Sequence, residues 1–182
     1  MYIKEKIDLW EKTLKSERLY SGNIINVNKD LVEFANGDTK VREVVEHADL
    51  AVIFPVLDNG EIVLEKHYRH PHDSLVIEAV AGKRDLDEDI NITAYRELEE
   101  ETGLKAAEIK MVGMLQANPP YIKQLMYFFV AKGLKEGTMR RDKNEYMDIF
   151  SVSLEDLLRM IKDGEIQDMK TVAMATLYQL KK

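Results

Sequence analysis

The feature that most constrains this 182-residue chain is the spacing of glycine and acids from Gly82 to Leu104, G-K-R-D-L-D-E-D-I-N-I-T-A-Y-R-E-L-E-E-E-T-G-L. Five residues separate Gly82 from Glu88 and seven separate Glu88 from Arg96-Glu97-Leu98; Glu100-Glu101 and Gly103-Leu104 each follow after one more. Asp87 or Asp89 can cap a helix over 90–102, and Gly103 stands where a left-handed residue ends one. On that helix Glu97, Glu100 and Glu101 fall at i, i+3 and i+4, so three carboxylates gather on one surface. Glu97 and Glu101 also share the stripe of Ile90 and Ala94, the side that should face a sheet. Acids turned inward repel each other and lose hydration unless a cation compensates them. Oxygen donors of this kind select Mg2+ or Mn2+ over zinc.

The neighbours of the acids extend the pattern. A glycine directly after a strand lets the backbone approach a metal or phosphate, which makes the Ala81 carbonyl a candidate ligand. Arg96 is expected to orient Glu88 or Glu100, because a guanidinium holds a carboxylate in a bidentate geometry. A dense set of carboxylates with divalent ions suits phosphate-ester or diphosphate hydrolysis, where metals neutralise phosphate oxygens and acidify the attacking water.

The rest of the chain supplies a frame. Residues 1–16 give mixed signals, a short helix or an irregular lead-in. Residues 24–34 and 39–47 are rich in β-branched residues and flank Ala35-Asn36-Gly37-Asp38, whose Asn-Gly pair suits a hairpin. A lone hairpin is marginal in water, so this one is expected to pack on the main domain or on a second subunit. Segments 50–57 and 61–68 read as a strand pair around Asp58-Asn59-Gly60, and Ala51-Val52-Ile53-Phe54 reads as a central strand. Residues 69–74, with Pro71, read as a loop, and 75–80 as a short strand delivering Ala81-Gly82. Beyond the helix, 109–116 and 124–131 are strand-like around the loop 117–121, and 132–148 is polar. A strand over 146–152, a helix over 153–162 opened by Ser153 and a closing helix over 171–180 complete the chain. This order predicts a mixed-sheet α+β or α/β sandwich, with an N-terminal extension at 1–48 and a main domain at 49–182.

Composition narrows the partners. A net charge of -7 argues against the clustered Lys and Arg that nucleic acid or anionic lipid requires, and so favours a small molecule. The absence of cysteine excludes disulfides and thiolate metal sites. The N-terminus breaks its apolar residues with charges, unlike a signal peptide, and no stretch has the apolar length of a membrane span, so a cytoplasmic location is expected.

The 82–104 spacing fits in full the signature of the Nudix hydrolases, G-x5-E-x7-R-E-U-x-E-E-x-G-U, where U is a bulky aliphatic residue. Glu65-Lys66-His67-Tyr68-Arg69 and Ile77-Glu78-Ala79-Val80-Ala81-Gly82-Lys83 resemble the Q-Y-R and E-x-x-A-G-K stretches of the ADP-ribose pyrophosphatase branch. The tail from Val152 to Asp168 is also similar to that branch, and Pro119 and Pro120 stand where it carries a proline, about 15 residues past the box. The resemblance implies a Nudix fold and Mg2+-dependent hydrolysis of a nucleoside diphosphate sugar, with Mn2+ as a substitute ion. ADP-ribose, split to AMP and ribose 5-phosphate, is the first substrate it implies. Alternatives are GDP-mannose, a dinucleoside polyphosphate or an oxidised nucleotide, or a domain that binds nucleotide sugars without turnover.

The resemblance also assigns roles. It implies Ala81 (through its carbonyl), Glu97 and Glu101 as metal ligands, Glu100 as a bridging ligand or water activator, and Glu145 near a metal. It implies substrate contacts from Arg42, Glu43, Arg69, Glu78, Lys83, Asn118, Pro119 and Pro120, and a homodimer with exchanged N-terminal strands in which Arg42-Glu43 reach the partner's site. Relatives often carry a D-E-x-E-like run where this chain has Asp142-Lys143-Asn144-Glu145, so Asp142, Glu136 or Glu100 stand as substitute bases. Relatives also often carry S-P-G-x-x-D/E where this chain has Asn118-Pro119-Pro120-Tyr121-Ile122-Lys123, which implies a changed pocket. His67, His70 and His72 read as loop histidines near substrate rather than a zinc site. Tyr121 is placed to stack on a purine, and Phe128 reads as core.

Overall fold

The computed structural model describes residues 9–140 and 146–181. In chain order the elements are β1 (Glu11–Ser21), β2 (Ile25–Phe34), β3 (Thr39–His47), β4 (Leu50–Pro55), β5 (Ile62–Arg69), β6 (Ser74–Lys83) and α1 (Ile90–Thr102). There follow β7 (Leu104–Gln116), β8 (Ile122–Lys123), β9 (Leu125–Glu136), β10 (Met147–Val152), α2 (Leu154–Lys162) and α3 (Met169–Leu180). They divide into two compact units, one within Met1–Ala48 and Gln116–Gln124, the other within Asp49–Leu115 and Leu125–Lys182. Among the described residues no helix is long and apolar enough to cross a membrane.

The first unit is a four-stranded sheet in the order β1-β2-β3-β8. The Asn36-Gly37 turn closes the β2–β3 hairpin, with Gly37 at φ 86° and the Phe34 amide 2.9 Å from the Asp38 carbonyl. This hairpin does not stand alone. Strand β1 pairs along the length of β2, and β8 pairs in parallel with β3 at Val45 and Ile122. From Glu11 onward β1 replaces the short helix or irregular lead-in expected over residues 1–16. Every one of its residues is exposed, so it shows none of the burial alternation that marks a strand in sequence. What defines it is pairing with β2, including Ser16 Oγ donating to Asp30 at 2.6 Å.

The second unit is a six-stranded sheet in the order β10-β5-β6-β4-β9-β7. Ala51, Val52, Ile53 and Phe54 of β4 are completely buried, as four consecutive apolar residues require of a strand covered on both faces. Ala51 and Ile53 face α1, whose Ala94 and Leu98 join them with Val80, Phe129 and Ala131 in one core cluster. Burying Leu98 alone contributes roughly 2 kcal/mol. Phe54 points the other way, by strand alternation, and its ring meets that of Tyr178 of α3 edge-on at 6.0 Å. The sheet is thus sandwiched between α1 and α3, as the element order predicts.

The expected pairing of 50–57 with 61–68 does not form. The turn is present, with Gly60 at φ 85°, but only the bridge between Val56 and Ile62 joins its arms. β6 inserts between β4 and β5: its residues 74–79 pair with β5 and its residues 80–83 with β4. β6 therefore runs through Gly82, which lies opposite Ala51 inside the sheet rather than after a strand. β7 and β9 also extend further than expected, over residues 104–108 and 132–136, with Leu104, Ala106 and Leu134 packed against the core cluster. Helix ends follow local chemistry: Asp89 accepts from the Asn91 amide at 2.8 Å, Ser153 from the Asp156 amide at 3.0 Å, and Asp168 from the Thr171 amide at 2.9 Å. Gly103 closes α1 at φ 71°.

The loop between β6 and α1 is held by charge, with Leu86 almost fully exposed. Arg96 donates from Nε to Glu88 Oε1 at 3.0 Å and from Nη2 to Glu88 Oε2 at 2.9 Å and to the Lys83 carbonyl at 3.0 Å. Thr93 adds a bond to Glu88 Oε2 at 2.7 Å. These contacts, Arg96 first, bring the Glu88 carboxyl down to about 2. A depressed carboxylate stabilises the fold above its unfolded value and loses that contribution as pH falls through the folded value. E88Q is therefore expected to lower stability by roughly 1–2 kcal/mol at neutral pH, with the deficit shrinking between about pH 4.5 and 2, measured by urea unfolding across that range.

Candidate active site

β6 and α1 together build an acidic centre. A Cβ placed on Gly82 would stand 1.8 Å from the carboxyl carbon of Glu97 and 2.1 and 2.2 Å from its oxygens, so Glu97 fills the space of the missing side chain. Glu101 Oε2 accepts from the Ala81 amide at 3.2 Å. Glu97 and Glu101 are 12% and 8% exposed, whereas Glu100 is 38% exposed, so two acids turn inward as the helical stripe predicts. Arg96 orients both of the acids named for it: besides Glu88 it reaches Glu100 Oε2 at 3.1 Å, and it binds Glu97 Oε1 at 2.7 Å as well. Bonding to these acids, Glu88 foremost, raises Arg96 above its ordinary range and keeps it charged.

The same centre suits a hard cation. Among the described residues no three His, Cys, Asp or Glu side chains converge in metal-holding geometry, and the Arg96 guanidinium holds Glu97 and Glu100. Yet the donors are all oxygens, the Glu97 carboxylate fills the space over Gly82, and Glu101 accepts from the Ala81 amide. The donor set therefore fits a hard divalent ion, which the Ala81 carbonyl, Glu97 and Glu101 could hold, and Glu100 is the most exposed of the three acids.

A second cluster lies further along β6. Glu78 is 2% exposed and directly opposite the equally buried Glu65 of β5. Like charges in that register are destabilising unless compensated. Arg69 binds Glu78 in a bidentate fork, Nε to Oε1 at 2.5 Å and Nη2 to Oε2 at 2.9 Å, and lies 3.8 Å from Glu65. Lys170 of α3 donates to Glu78 Oε2 and lies 3.2 Å from Asp168. Burial pushes the Glu78 carboxyl up, but Arg69 and Lys170 together outweigh it and hold the group below its ordinary range. Arg69, Glu78, Asp168 and Lys170, with His72, Ser74 and Gln167, line a cavity of about 730 Å³.

Arg69 and Glu78 are thus brought together as substrate candidates, while Lys170 is absent from the sequence reading. It stands 92 positions beyond Glu78, and nothing local marks it. Lys83 has an exposed side chain, although its carbonyl anchors Arg96, and Glu136 ends β9 exposed. Arg42, Glu43, Asn118, Pro119 and Pro120 belong to the first unit. There Arg42 pairs with Glu11 and stands 5.6 Å above the Phe34 ring, and Glu43 lies opposite Lys29. Asn118 donates from Nδ2 to the Tyr121 hydroxyl at 3.0 Å, and Pro119 and Pro120 are exposed. Glu145, with Asp142 and Lys143, lies outside the described residues.

Comparison with known proteins points the same way. A methanol dehydrogenase activator of Bacillus methanolicus is 35% identical over 172 residues, covering 93% of each chain. An ADP-ribose pyrophosphatase of Bacillus subtilis (strain 168) is 33% identical over 175 residues, covering 95% of each. The crystal structure of an ADP compounds hydrolase shares the fold with a TM-score of 0.85, over 96% of this chain and 95% of that one, at 23% identity. The NUDIX domain model matches residues 47–176, which include the whole acidic centre and the Arg69–Glu78 pair, and the chain belongs to the Nudix family.

Proposed function

We propose that the chain is a Mg2+-dependent diphosphatase that hydrolyses ADP-ribose to AMP and ribose 5-phosphate. The observation that carries this reading is the complete acidic set, Glu97 seated on Gly82 with Glu100 and Glu101 beside it, in a chain 33% identical to an ADP-ribose pyrophosphatase. In the reaction a water oxygen bonds to one phosphorus as the bond from that phosphorus to the bridging oxygen breaks. The bridging oxygen leaves with the other phosphate, so each product is a phosphate monoester. A bound Mg2+ neutralises the diphosphate oxygens and acidifies the water.

The chain's own groups do the rest. The Ala81 carbonyl, Glu97 and Glu101 would hold the ion, and Glu100 would take the water proton, a role that its being the most exposed of the three acids supports. Glu145 is a second candidate for that proton and a further metal contact. Arg96 keeps the 84–89 loop against α1, and Arg69 and Glu78 present a paired guanidinium and carboxylate to the substrate. Lys83 and the 118–120 loop complete the substrate contacts in this reading.

The proposal includes a cytoplasmic homodimer that exchanges N-terminal strands from the 1–48 extension and brings Arg42 and Glu43 to the partner's 49–182 domain. The exposure of β1 along its whole length, with Leu14, Leu19 and Tyr20 among its open residues, supports a further surface for that sheet. A second reading rests on the 35% identity to a methanol dehydrogenase activator: the chain stimulates an alcohol-oxidising dehydrogenase. Adding it to such an enzyme, with and without hydrolysable ADP-ribose, tests that role.

Purified protein with Mg2+ is expected to release AMP from ADP-ribose and to lose that activity in EDTA; failure with ADP-ribose and every nucleoside diphosphate sugar in a panel, GDP-mannose included, ends the proposal. E100Q is expected to lower kcat by about 100-fold or more while binding ADP-ribose with unchanged affinity, whereas a pure binding domain has no turnover to lose. G82A forces only the flexible end of Glu97 aside, so it is expected to fold with a near-native melting temperature yet lose most activity. Full activity in G82A is the outcome against the Glu97 assignment.

A further inference from the structure

Lys170 is poorly explained as a helix residue. It occupies the second position of α3, where the positive end of the helix dipole disfavours a cation. Its side chain is only 11% exposed, so the ammonium is largely withdrawn from water. Both costs are met at one point, the contact with Glu78 Oε2, with Asp168, the cap of the same helix, 3.2 Å away. The charged groups around Glu78 are therefore Glu65 and Arg69 from β5 and Lys170 and Asp168 from α3.

We infer that Lys170 is a positioning residue for substrate: it holds Glu78 in place from α3, so that Arg69 can turn donors toward the cavity they both line. The inference rests on the proposed role of Arg69 and Glu78 in binding the nucleoside diphosphate sugar. The two cations divide the work by exposure. Arg69, at 37%, is open to a ligand, and Lys170 is not. Two of the five guanidinium N–H groups are spent on Glu78. Without Lys170, Arg69 alone faces the opposed carboxylates of Glu78 and Glu65, and its remaining donors are drawn to them instead of the substrate.

Steady-state kinetics with ADP-ribose and Mg2+ test this. K170M is expected to raise KM about ten-fold with kcat within about two-fold, K170R to restore most of the loss, and K170M to add nothing further in an E78Q background. An unchanged KM in folded K170M, or an equal rise with and without Glu78, overturns the inference. Melting curves accompany each variant, and K170Q replaces K170M if the latter does not fold, with the same two outcomes. Absence of ADP-ribose turnover in the wild type would strike the substrate reading alone. The Lys170–Glu78 coupling is then read from the melting temperatures of K170M, E78Q and the double variant, where simple additivity overturns it.

Discussion

Helix α1 can seat Glu97 against β6 only because position 82 carries no side chain. The Glu97 carboxylate lies where a Cβ would be, and Glu101 reaches the Ala81 amide next to it. Both contacts bind the helix to the innermost part of β6, opposite β4. From this follow the inward turn of two carboxylates, the need for a nearby cation and the recruitment of Arg96. The packing that secures the approach is ordinary: Ala94 is small enough to let the helix down, and Leu98 fills the core beneath it.

Two arginines organise the acids. Arg96 spans Glu88, Glu97 and Glu100, and Arg69 forks onto Glu78 within reach of Glu65. A planar guanidinium with five donors can grip one carboxylate through two parallel bonds and still reach another, a fixed fork geometry that the point charge of lysine lacks. A single nitrogen of Arg96, Nη1, reaches both Glu97 and Glu100.

Much of this was legible in the sequence wherever cause and effect lie close together. The 82–104 spacing carries the helix, its inward acids and its closing glycine, and Asp89, one of two candidate caps, is the one in use. Ala51 to Phe54 declared a central strand by hydrophobicity alone. What escaped is non-local. β1 has no buried face to impose a period, and its strand character comes from β2. The turn at 58–60 suggested a hairpin, but β6 separates its arms because its two halves find different neighbours. Lys170 belongs to the site through a contact that spans half the chain, while the Arg69–Glu78 pair was reachable through family resemblance.

The change of partner along β6 has a mechanical meaning. Glu78 pairs with β5 and Val80 to Lys83 pair with β4, so one strand is stitched to two neighbours with the junction between Ala79 and Val80. The Ala79 amide at that junction donates to Thr171 of α3, which ties the seam to the opposite layer. Glu78 and the Ala81 carbonyl are three residues apart on extended backbone, a span of roughly 10 Å. That interval works as a rigid ruler between the group that would recognise substrate and the group that would hold the ion. Neither end can slide without breaking a ladder on its own side, so the distance between Glu78 and the Ala81 carbonyl is set by backbone pairing rather than by side-chain choice.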